Sequence, residues 1–475
     1  MNVSFLQELL NSVAEQGRQL LPRSLRGPGR EDDITELARA LSSNRGEASG
    51  VAIARELLRR YRSLDPEARL DFLKYLSRTM EPDAAEVARA AKAYLSGAQT
   101  TTLRALQRAV ESPRLEFFRR LNLAPGATAE IVAMRRDLIR TGEPSLAPLD
   151  SDLRHLLASW FNRGFLVLRR IDWHTPATIL DKIIAYEAVH AIQGWDDLRR
   201  RLDPDDRSCF AFFHPSLIDE PLIFVEVALM ADIPGSIGAV LGEAPKNGEA
   251  ADEPTTAVFY SISNCQEGLR GISFGNFLIK QVVEDLLKEH PSLKTFVTLS
   301  PVPGFADWLD AALAASDSAR LVAPEERERL AMLSDPDWPA SEALSEALRP
   351  TLLRLAATYF LGEKAGDGRP LDPVARFHLG NGATLERINW LGDTSAKGLR
   401  EAHGLMVNYR YELRDIERNH EAYANEGTVA ASRQVHALLK RPRPRSEPTA
   451  IATTKLLQIA RLRQPKPDVE QSEGT

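Results

Sequence analysis

Residues 257–301 read AVFYSISNCQEGLRGISFGNFLIKQVVEDLLKEHPSLKTFVTLSP, and this stretch decides the fold. Two short runs, Ala257 to Ile262 and Thr295 to Leu299, have the length and the β-branched and aromatic content of buried strands. A glycine-containing loop and a helix from Asn276 to Glu289 lie between them. The order strand, loop, helix, strand predicts a compact unit that mixes helix and sheet.

The loop of this unit, residues 266–277, reads QEGLRGISFGNF. Its glycines, Gly268, Gly271 and Gly275, do not have the spacing of the dinucleotide-binding or P-loop fingerprints. Glycines before a helix N-terminus expose backbone N–H groups at the positive end of the helix dipole, and Arg270 adds a charge. The pattern predicts a loop that binds an anion such as a pyrophosphate, with simple turn chemistry as the alternative.

Composition excludes several classes of protein. The 475 residues include 43 % apolar and 27 % charged residues, which is ordinary for a folded chain of two or three domains. Lys and Arg total 60 against 66 Asp and Glu, so no basic excess favours a nucleic acid partner. The two cysteines, Cys209 and Cys265, are too few for a disulfide scaffold or a four-thiolate metal site and favour a reducing compartment.

The pattern of apolar residues changes near residue 162. From Glu31 to Phe161 apolar residues recur at helical spacing, and start signals occur at Asp65-Pro66, Glu81-Pro82 and Ser112-Pro113. Beyond Gly164 short apolar runs alternate with helical stretches. We therefore predict a helical domain over 1–161, a domain that mixes helix and sheet over 162–440 and a proline-rich tail over 441–475.

Within the predicted domain of helix and sheet the pattern indicates further elements. Strands are expected at Phe165 to Leu168, Phe210 to Phe213 and Leu222 to Leu229, and a helix from Thr175-Pro176 to about Ile192, with Thr175 as its cap. Asn381 to Tyr411 is expected to be rich in helix.

Targeting signals are weak. The amphipathic segment Met1 to Arg26 contains Glu8 and Glu15, which argue against an acid-poor transit peptide. The apolar run from Pro221 to Ala231 is interrupted by Glu226 and is shorter than the ~20 residues of a membrane helix. A cytoplasmic protein without a membrane partner is expected by elimination.

Two polar residues stand in settings that suggest chemistry. Ser300 follows the second strand and is followed by Pro301, Pro303 and Gly304, which predicts a hydroxyl at the mouth of a cleft. His378 lies in FHLGNGA (377–383), which predicts a compact glycine-containing loop. From pattern alone, Ser300 could equally be a turn serine and His378 a buried structural histidine.

Metal binding is not indicated. None of the nine histidines forms an H-E-x-x-H pair, and Glu187 and His190 have a lone helical spacing that favours a structural role. We expect no metal site.

Five motifs make the family recognisable. FYSIS (259–263), GNFLIK (275–280), LSPVPGF (299–305), FHLGNGA (377–383) and GLMVNYRY (404–411) resemble malonyl-CoA decarboxylases in content and order. The resemblance implies an α+β chain: a helical N-terminal bundle over 1–161 that serves association, followed by a mixed-sheet catalytic domain over 162–440 with the GNAT (acyl-CoA N-acyltransferase) fold. The coenzyme A site of that fold has the same order of strand, basic glycine loop, helix and strand.

The resemblance also implies the site residues. Ser300 and His378 are expected to be catalytic, with Tyr411 at the same site. The expected contact for coenzyme A is the loop formed by Arg270, Gly271, Ile272, Ser273, Phe274, Gly275 and Asn276.

The implied reaction converts malonyl-CoA to acetyl-CoA and CO2. It needs no metal or organic cofactor, because the thioester carbonyl accepts the electron pair that CO2 leaves behind. Ser300 is expected to hydrogen-bond the malonyl carboxylate or the thioester region as the formal proton acceptor. His378 is expected to donate the proton that completes the acetyl group, a role suited to a pKa near neutrality.

Two other functions stay open at this point. The same fold could transfer an acyl group from coenzyme A to an amine, or the chain could be a non-catalytic coenzyme A-binding interaction protein. The resemblance suggests a homotetramer. Ala177 stands where animal members of the family carry a cysteine, so an intersubunit disulfide of that type is not expected.

Overall fold

The computed structural model describes residues 32–43, 46–242, 253–272, 278–316 and 318–440. Three predictions lie outside the described residues. They are the amphipathic segment 1–26, the tail 441–475 and the four loop residues Ser273, Phe274, Gly275 and Asn276.

The described N-terminal part is helical throughout, as predicted. Its helices are α1 (Asp32–Ser42), α2 (Glu47–Ser63), α3 (Pro66–Thr79), α4 (Ala84–Ser96), α5 (Thr100–Val110), α6 (Pro113–Leu121), α7 (Ala127–Thr141) and α8 (Ala147–Trp160). Their shared core is aromatic and aliphatic, and its fully buried members include Leu37, Leu57, Leu73, Phe118, Leu149 and Leu157.

Local signals explain where several of these helices begin. The Asp65 carboxylate accepts the Ala68 N–H at 2.8 Å, and the Ser112 hydroxyl accepts the Arg114 N–H at 3.2 Å. Each cap is followed by a proline in the first turn, where the missing N–H costs nothing. Pro82, by contrast, precedes its helix, because Asp83 is the cap and accepts the N–H groups of Ala85 and Glu86.

Later helices alternate with strands. They are α9 (Ala177–Tyr186), α10 (Trp195–Leu202), α11 (Ile237–Leu241), α12 (Leu278–Glu289), α13 (Phe305–Ala314), α14 (Ser318–Leu321), α15 (Pro324–Leu330), α16 (Glu342–Leu361), α17 (Pro373–Gly380), α18 (Ala396–Ala402), α19 (Ile416–Glu426) and α20 (Arg433–Leu438). The strands are β1 (Val167–Ile171), β2 (Arg207–Phe213), β3 (Pro221–Met230), β4 (Thr256–Asn264), β5 (Thr295–Thr298), β6 (Ser300–Pro301), β7 (Thr384–Asn389) and β8 (Met406–Arg410).

These strands form one mixed sheet in the order β1-β2-β3-β4-β5-β8-β6, with β7 also paired to β8. β4 and β5 are parallel and joined through α12, whereas β5, β6 and β7 each pair with β8 antiparallel. A parallel pair needs such a crossover. The predicted α+β fold, a helical N-terminal part followed by a mixed sheet, is therefore confirmed.

Two compact units divide the described residues. The first comprises those in Met1–Asp203, Cys209–Phe224 and Ser263–Leu278, and the second those in Pro204–Ser208, Val225–Ile262 and Ile279–Thr475. In the first unit a core of Ile179, Ile183 and Leu198 packs on Phe213 and Phe224. In the second, Val258, Val297, Leu299 and Met406 pack with Val240. The predicted boundary at residues 161 and 162 stays a prediction.

Three predicted boundaries are wrong, although the strand and the helix to which they belong are present. β1 begins at Val167 rather than Phe165, because residues 163–165 form a 3₁₀ turn. α9 ends at Tyr186 rather than near Ile192, since the Glu187 carboxylate accepts the Val189 and His190 N–H groups and turns the chain. Thr175 does not cap this helix, because its hydroxyl bonds to Asp172.

The segment 381–411, predicted to be rich in helix, instead contains β7 and β8 with only the short α18 between them. The two strands pair from Thr384 with Arg410 to Asn389 with Met406. Long-range pairing and burial override the weak local propensity of such short segments.

Candidate active site

Three predicted residues from distant parts of the chain meet in the second unit. Ser300 lies on β6, His378 in the last turn of α17 and Tyr411 directly after β8. The His378 Nε2 atom is 3.2 Å from Ser300 Oγ, and its Nδ1 atom is 2.8 Å from the Tyr411 hydroxyl. All three side chains are buried. They form one hydrogen-bonded chain with the imidazole at its centre.

The sheet places Ser300 where two parallel strands part. β4 and β5 pair from Thr256 with Thr295 to Phe259 with Thr298. β4 then continues to Asn264. The residues after β5 turn away from β4, and Ser300 pairs with Val407 of β8. Pro301 lacks a backbone N–H and limits further pairing. Ser300 is therefore held by the sheet and is not a turn serine, although its 5 % exposure places it deeper than the predicted mouth of a cleft.

His378 lies on a helix, and the prediction of a glycine-containing loop is wrong for it. Asp372 caps α17 by accepting the Ala375 N–H at 2.7 Å, and Pro373 occupies the first turn. The glycine-rich residues follow the helix, where Gly382 takes a positive φ of 79°. A Cβ at Gly382 would overlap the carbonyl oxygen of Ile416, so this turn requires glycine.

Burial sets the charge of the imidazole. It lowers the pKa of His378 to about 3, so the ring is neutral at pH 7 and the expected pKa near neutrality is not met. Burial also raises the pKa of Tyr411 well above its ordinary value of 10, which keeps the phenol protonated. The site thus consists of neutral hydrogen-bonding groups.

The hydrogen bonds from Tyr411 through His378 to Ser300 and Thr298 can run in either direction, with donor and acceptor exchanged in each bond. The backbone N–H of Tyr409 is a fixed donor to Thr298 Oγ1 at 3.1 Å, and this oxygen is 2.8 Å from Ser300 Oγ. In one arrangement Tyr411 donates to Nδ1, Nε2 donates to Ser300, and Ser300 donates to Thr298. In the other, each of these hydroxyl and imidazole bonds is reversed. Both satisfy neutral imidazole, whose nitrogens are one donor and one acceptor. Such a chain can pass a proton along its length.

Sequence reasoning missed the residues that support this chain. Thr298 stands two residues before Ser300 on the extended chain, a spacing that puts both side chains on one face and could have revealed it. Asn408 donates to the Thr298 carbonyl at 2.8 Å and accepts from Arg387 at 3.1 Å. The Tyr409 ring stacks on His378 with ring centroids 4.5 Å apart. Asn408 and Tyr409 belong to the GLMVNYRY motif (404–411), in which the sequence analysis predicts a site role for Tyr411 alone.

The predicted loop residues that the structure describes, Arg270, Gly271 and Ile272, lie in the first unit. The loop is fixed to α7: a Cβ at Gly268 would overlap the Val132 carbonyl, and Arg135 donates to the carbonyls of Gly268 and Arg270 at 2.7 and 2.9 Å. Gly271 has a φ of 77°, which favours glycine. The Arg270 side chain is largely exposed and 3.5 Å from Glu267.

The residues that the structure describes contain neither a metal-binding cluster nor a membrane-spanning helix. No group of three or more His, Cys, Asp or Glu side chains there could hold a metal ion. Nor does any helix in those ranges combine the length and apolar content needed to cross a bilayer.

The fold and the site together define an α+β protein with a buried serine, histidine and tyrosine network at the parting of two parallel strands. Family models match both parts of the chain: the malonyl-CoA decarboxylase C-terminal domain over residues 164–448 and the N-terminal domain over 80–161. This chain belongs to the malonyl-CoA decarboxylase family.

Individual relatives agree with the family models. Mitochondrial malonyl-CoA decarboxylase of Anser anser anser is 38 % identical over 413 residues, which cover 80 % of this chain and 82 % of the relative. A solved malonyl-CoA decarboxylase from Rhodopseudomonas palustris is 53 % identical with a TM-score of 0.82, and one from Agrobacterium vitis is 56 % identical with a TM-score of 0.81. Each covers 86 % of this chain and is covered over its full length.

Proposed function

We propose that this chain decarboxylates malonyl-CoA to acetyl-CoA and CO2. Family membership over both domains supports this function. The observation that carries a catalytic role for the site is the buried contact of His378 with Ser300 on one ring nitrogen and Tyr411 on the other. An acyltransferase or a non-catalytic coenzyme A-binding protein is not favoured, since no observation on the site points to either.

The chemistry requires little beyond orientation and a proton. The C–C bond to the carboxylate breaks, CO2 leaves, and the electron pair enters an enolate conjugated with the thioester carbonyl. The enolate carbon then takes one proton, which solvent replaces on the enzyme. The thioester is thus the electron sink, and we propose that no metal or organic cofactor takes part.

Ser300, His378 and the glycine loop have different roles in this reaction. The Ser300 hydroxyl hydrogen-bonds the malonyl carboxylate or the thioester oxygen and stabilises the charge that develops there. The neutral His378 donates its Nε2 proton toward the enolate carbon while Nδ1 takes the proton of Tyr411. A proton from solvent then restores the Tyr411 hydroxyl, so both buried groups are neutral again at the end of each turnover. Arg270, Gly271, Ile272, Ser273, Phe274, Gly275 and Asn276 are proposed to contact coenzyme A.

An assay with malonyl-CoA and no acyl acceptor tests the function. In D2O the proposed reaction yields CO2 and acetyl-CoA that carries one deuterium in its methyl group, both measurable by mass spectrometry. Dialysis against a chelator should leave turnover unchanged. Absence of acetyl-CoA, or turnover that appears only when an amine acceptor is added, would overturn the proposal.

We also propose that the chain associates with copies of itself, as the tetramer implied by the family resemblance requires. The supporting observation is the pair α4 and α5, in which no residue is buried. Leu95 is 84 % exposed and Val110 50 % exposed, with Leu103 also exposed. Such an apolar surface is typical of a protein contact.

For location we propose the cytoplasm. Cys209 and Cys265 are both buried free thiols, which suit a reducing compartment. The goose relative is named as mitochondrial, so cell fractionation with an antibody against the chain is the decisive measurement.

A further inference from the structure

A cavity of about 690 Å³ lies within the first unit beside the glycine loop. One wall is helix α7, through Ala129, Val132, Ala133, Arg136 and Arg140. Another is the loop itself, from Asn264 to Ile272, and Tyr186 of α9 completes it. The volume lies in the range of ordinary ligand sites, ~300–1,000 Å³.

The cavity has a cationic end. Arg136, Arg140 and Arg270 line it, and the acidic lining residue is Glu267, which bonds Arg140 at 2.7 Å and Arg270 at 3.5 Å. Arg136 bonds Asp137, whose other carboxylate oxygen is held by Arg69 at 2.9 Å. Each guanidinium has five N–H donors, so all three arginines keep donors beyond these bonds. Arg154, next to Gly271, adds a further positive charge at the loop.

The rest of the cavity suits a planar base. Ala129, Val132 and Ala133 offer a small apolar surface, and the Tyr186 ring is half-buried with its hydroxyl bonded to Glu220 at 3.2 Å. An apolar wall next to clustered arginines matches a nucleotide, which has a flat base at one end and phosphates at the other.

We propose that helix α7 of the helical domain, through Arg136 and Arg140, binds the phosphorylated adenosine end of coenzyme A. The inference rests on the proposed function for the identity of the ligand, and it extends the binding residues beyond the glycine loop. Arg135, buried between the two walls, holds the loop against α7 by its bonds to Gly268 and Arg270 and its ion pair with Asp150 at 2.8 Å. Helix α7 and the loop thus form two walls of one coenzyme A subsite within the first unit.

Arg136→Gln is the sharpest test, because the Arg136 guanidinium bonds to Asp137 on its own helix, so its loss leaves the loop in place. We expect KM for malonyl-CoA to rise about tenfold, the loss of one charge-assisted contact, with kcat unchanged. Malonyl-pantetheine lacks the adenosine and its phosphates, so its kinetics should be the same in the variant and the wild type. The double variant Arg136→Gln/Arg140→Gln should raise KM for malonyl-CoA further. Arg78→Gln, an exposed change in the last turn of α3 outside the cavity, is the matched control.

Two results would overturn the inference: unchanged KM for malonyl-CoA in the double variant, or an equal loss with malonyl-CoA and malonyl-pantetheine. A wild type that decarboxylates neither substrate would overturn the proposed function instead. In that case calorimetry with adenosine 3′,5′-bisphosphate still decides the site. Binding by the wild type that is lost in Arg136→Gln supports it, and no binding by the wild type rejects it.

Discussion

The Nδ1 atom of His378 lies 2.8 Å from the hydroxyl of Tyr411, and the opposite ring nitrogen lies 3.2 Å from Ser300. Because both nitrogens are bonded and Tyr409 stacks on the ring face, the orientation of the imidazole is determined before substrate arrives. A ring fixed in this way needs no reorganisation when a proton moves, and this is the property that catalysis by general acids requires.

Removing the imidazole should abolish chemistry but not binding. For His378→Asn we expect kcat for malonyl-CoA to fall by about 10²–10⁴-fold, the usual contribution of a positioned acid or base. Coenzyme A binding measured by calorimetry should be retained within a few fold. Turnover close to that of the wild type would refute the assignment of His378.

Tyr411→Phe tests the relay behind the histidine. The phenyl ring keeps the packing and loses only the hydroxyl that bonds Nδ1. We expect kcat to fall by about tenfold or more while KM for malonyl-CoA stays the same, since the proposed role is in proton delivery. Tyr423→Phe, a change to another tyrosine hydroxyl of the second unit, is the control and should leave kcat unaltered. Equal effects of the two substitutions would contradict the relay.

The buried neutral histidine makes stability depend on pH in a defined direction. The folded pKa of His378 is about 3, below its ordinary 6.5, so the neutral ring stabilises the fold above pH 6.5. This contribution is lost as the pH falls from 6.5 toward 3. The free energy of unfolding from urea titrations should therefore drop more steeply between pH 7 and pH 4 for the wild type than for His378→Asn. Asp372, whose pKa burial raises to about 6, titrates in both proteins and cancels in the comparison. Parallel curves would show that His378 is not buried in its neutral form.

Gly268→Ala should displace the loop from α7. A methyl group there would overlap the Val132 carbonyl, and overpacking of this kind costs about 1–3 kcal/mol of unfolding free energy. The measurement is the free energy of unfolding together with KM for malonyl-CoA, which we expect to rise. Gly97→Ala, where a Cβ meets open space, serves as the control. A variant with unchanged KM and stability would show that the loop does not need this close approach.

Charged substitutions on α4 and α5 test self-association. Leu95→Glu combined with Leu103→Glu should lower the mass measured by light scattering from that of the oligomer toward the 52.7 kDa of one chain. The helices have no buried residues of their own, so their fold should tolerate the change. An unaltered mass would place the association surface elsewhere.

Local sequence signals predicted the elements that local chemistry controls. Asp65-Pro66 and Ser112-Pro113 begin helices as predicted, because a cap and a proline at the first turn act within four residues. The β4, α12 and β5 unit was also predicted, from apolar runs of strand length around an amphipathic helix. The segment 381–411 contains strands where helix is predicted, since β7 and β8 form through long-range pairing, β7 with β8 and β8 also with β5 and β6.

The class of fold, the family and the candidates Ser300, His378 and Tyr411 can all be predicted from the amino-acid sequence, because residue types, periodicity and motif order are properties of the chain. That these three side chains meet, that Thr298, Asn408 and Tyr409 support them, and that His378 is neutral become visible in the folded chain alone. Ser300 and His378 are 78 positions apart, and their contact depends on the pairing of β6 with β8 and on the packing of α17. The neutral charge state follows from burial, which many distant residues produce together and no local pattern encodes.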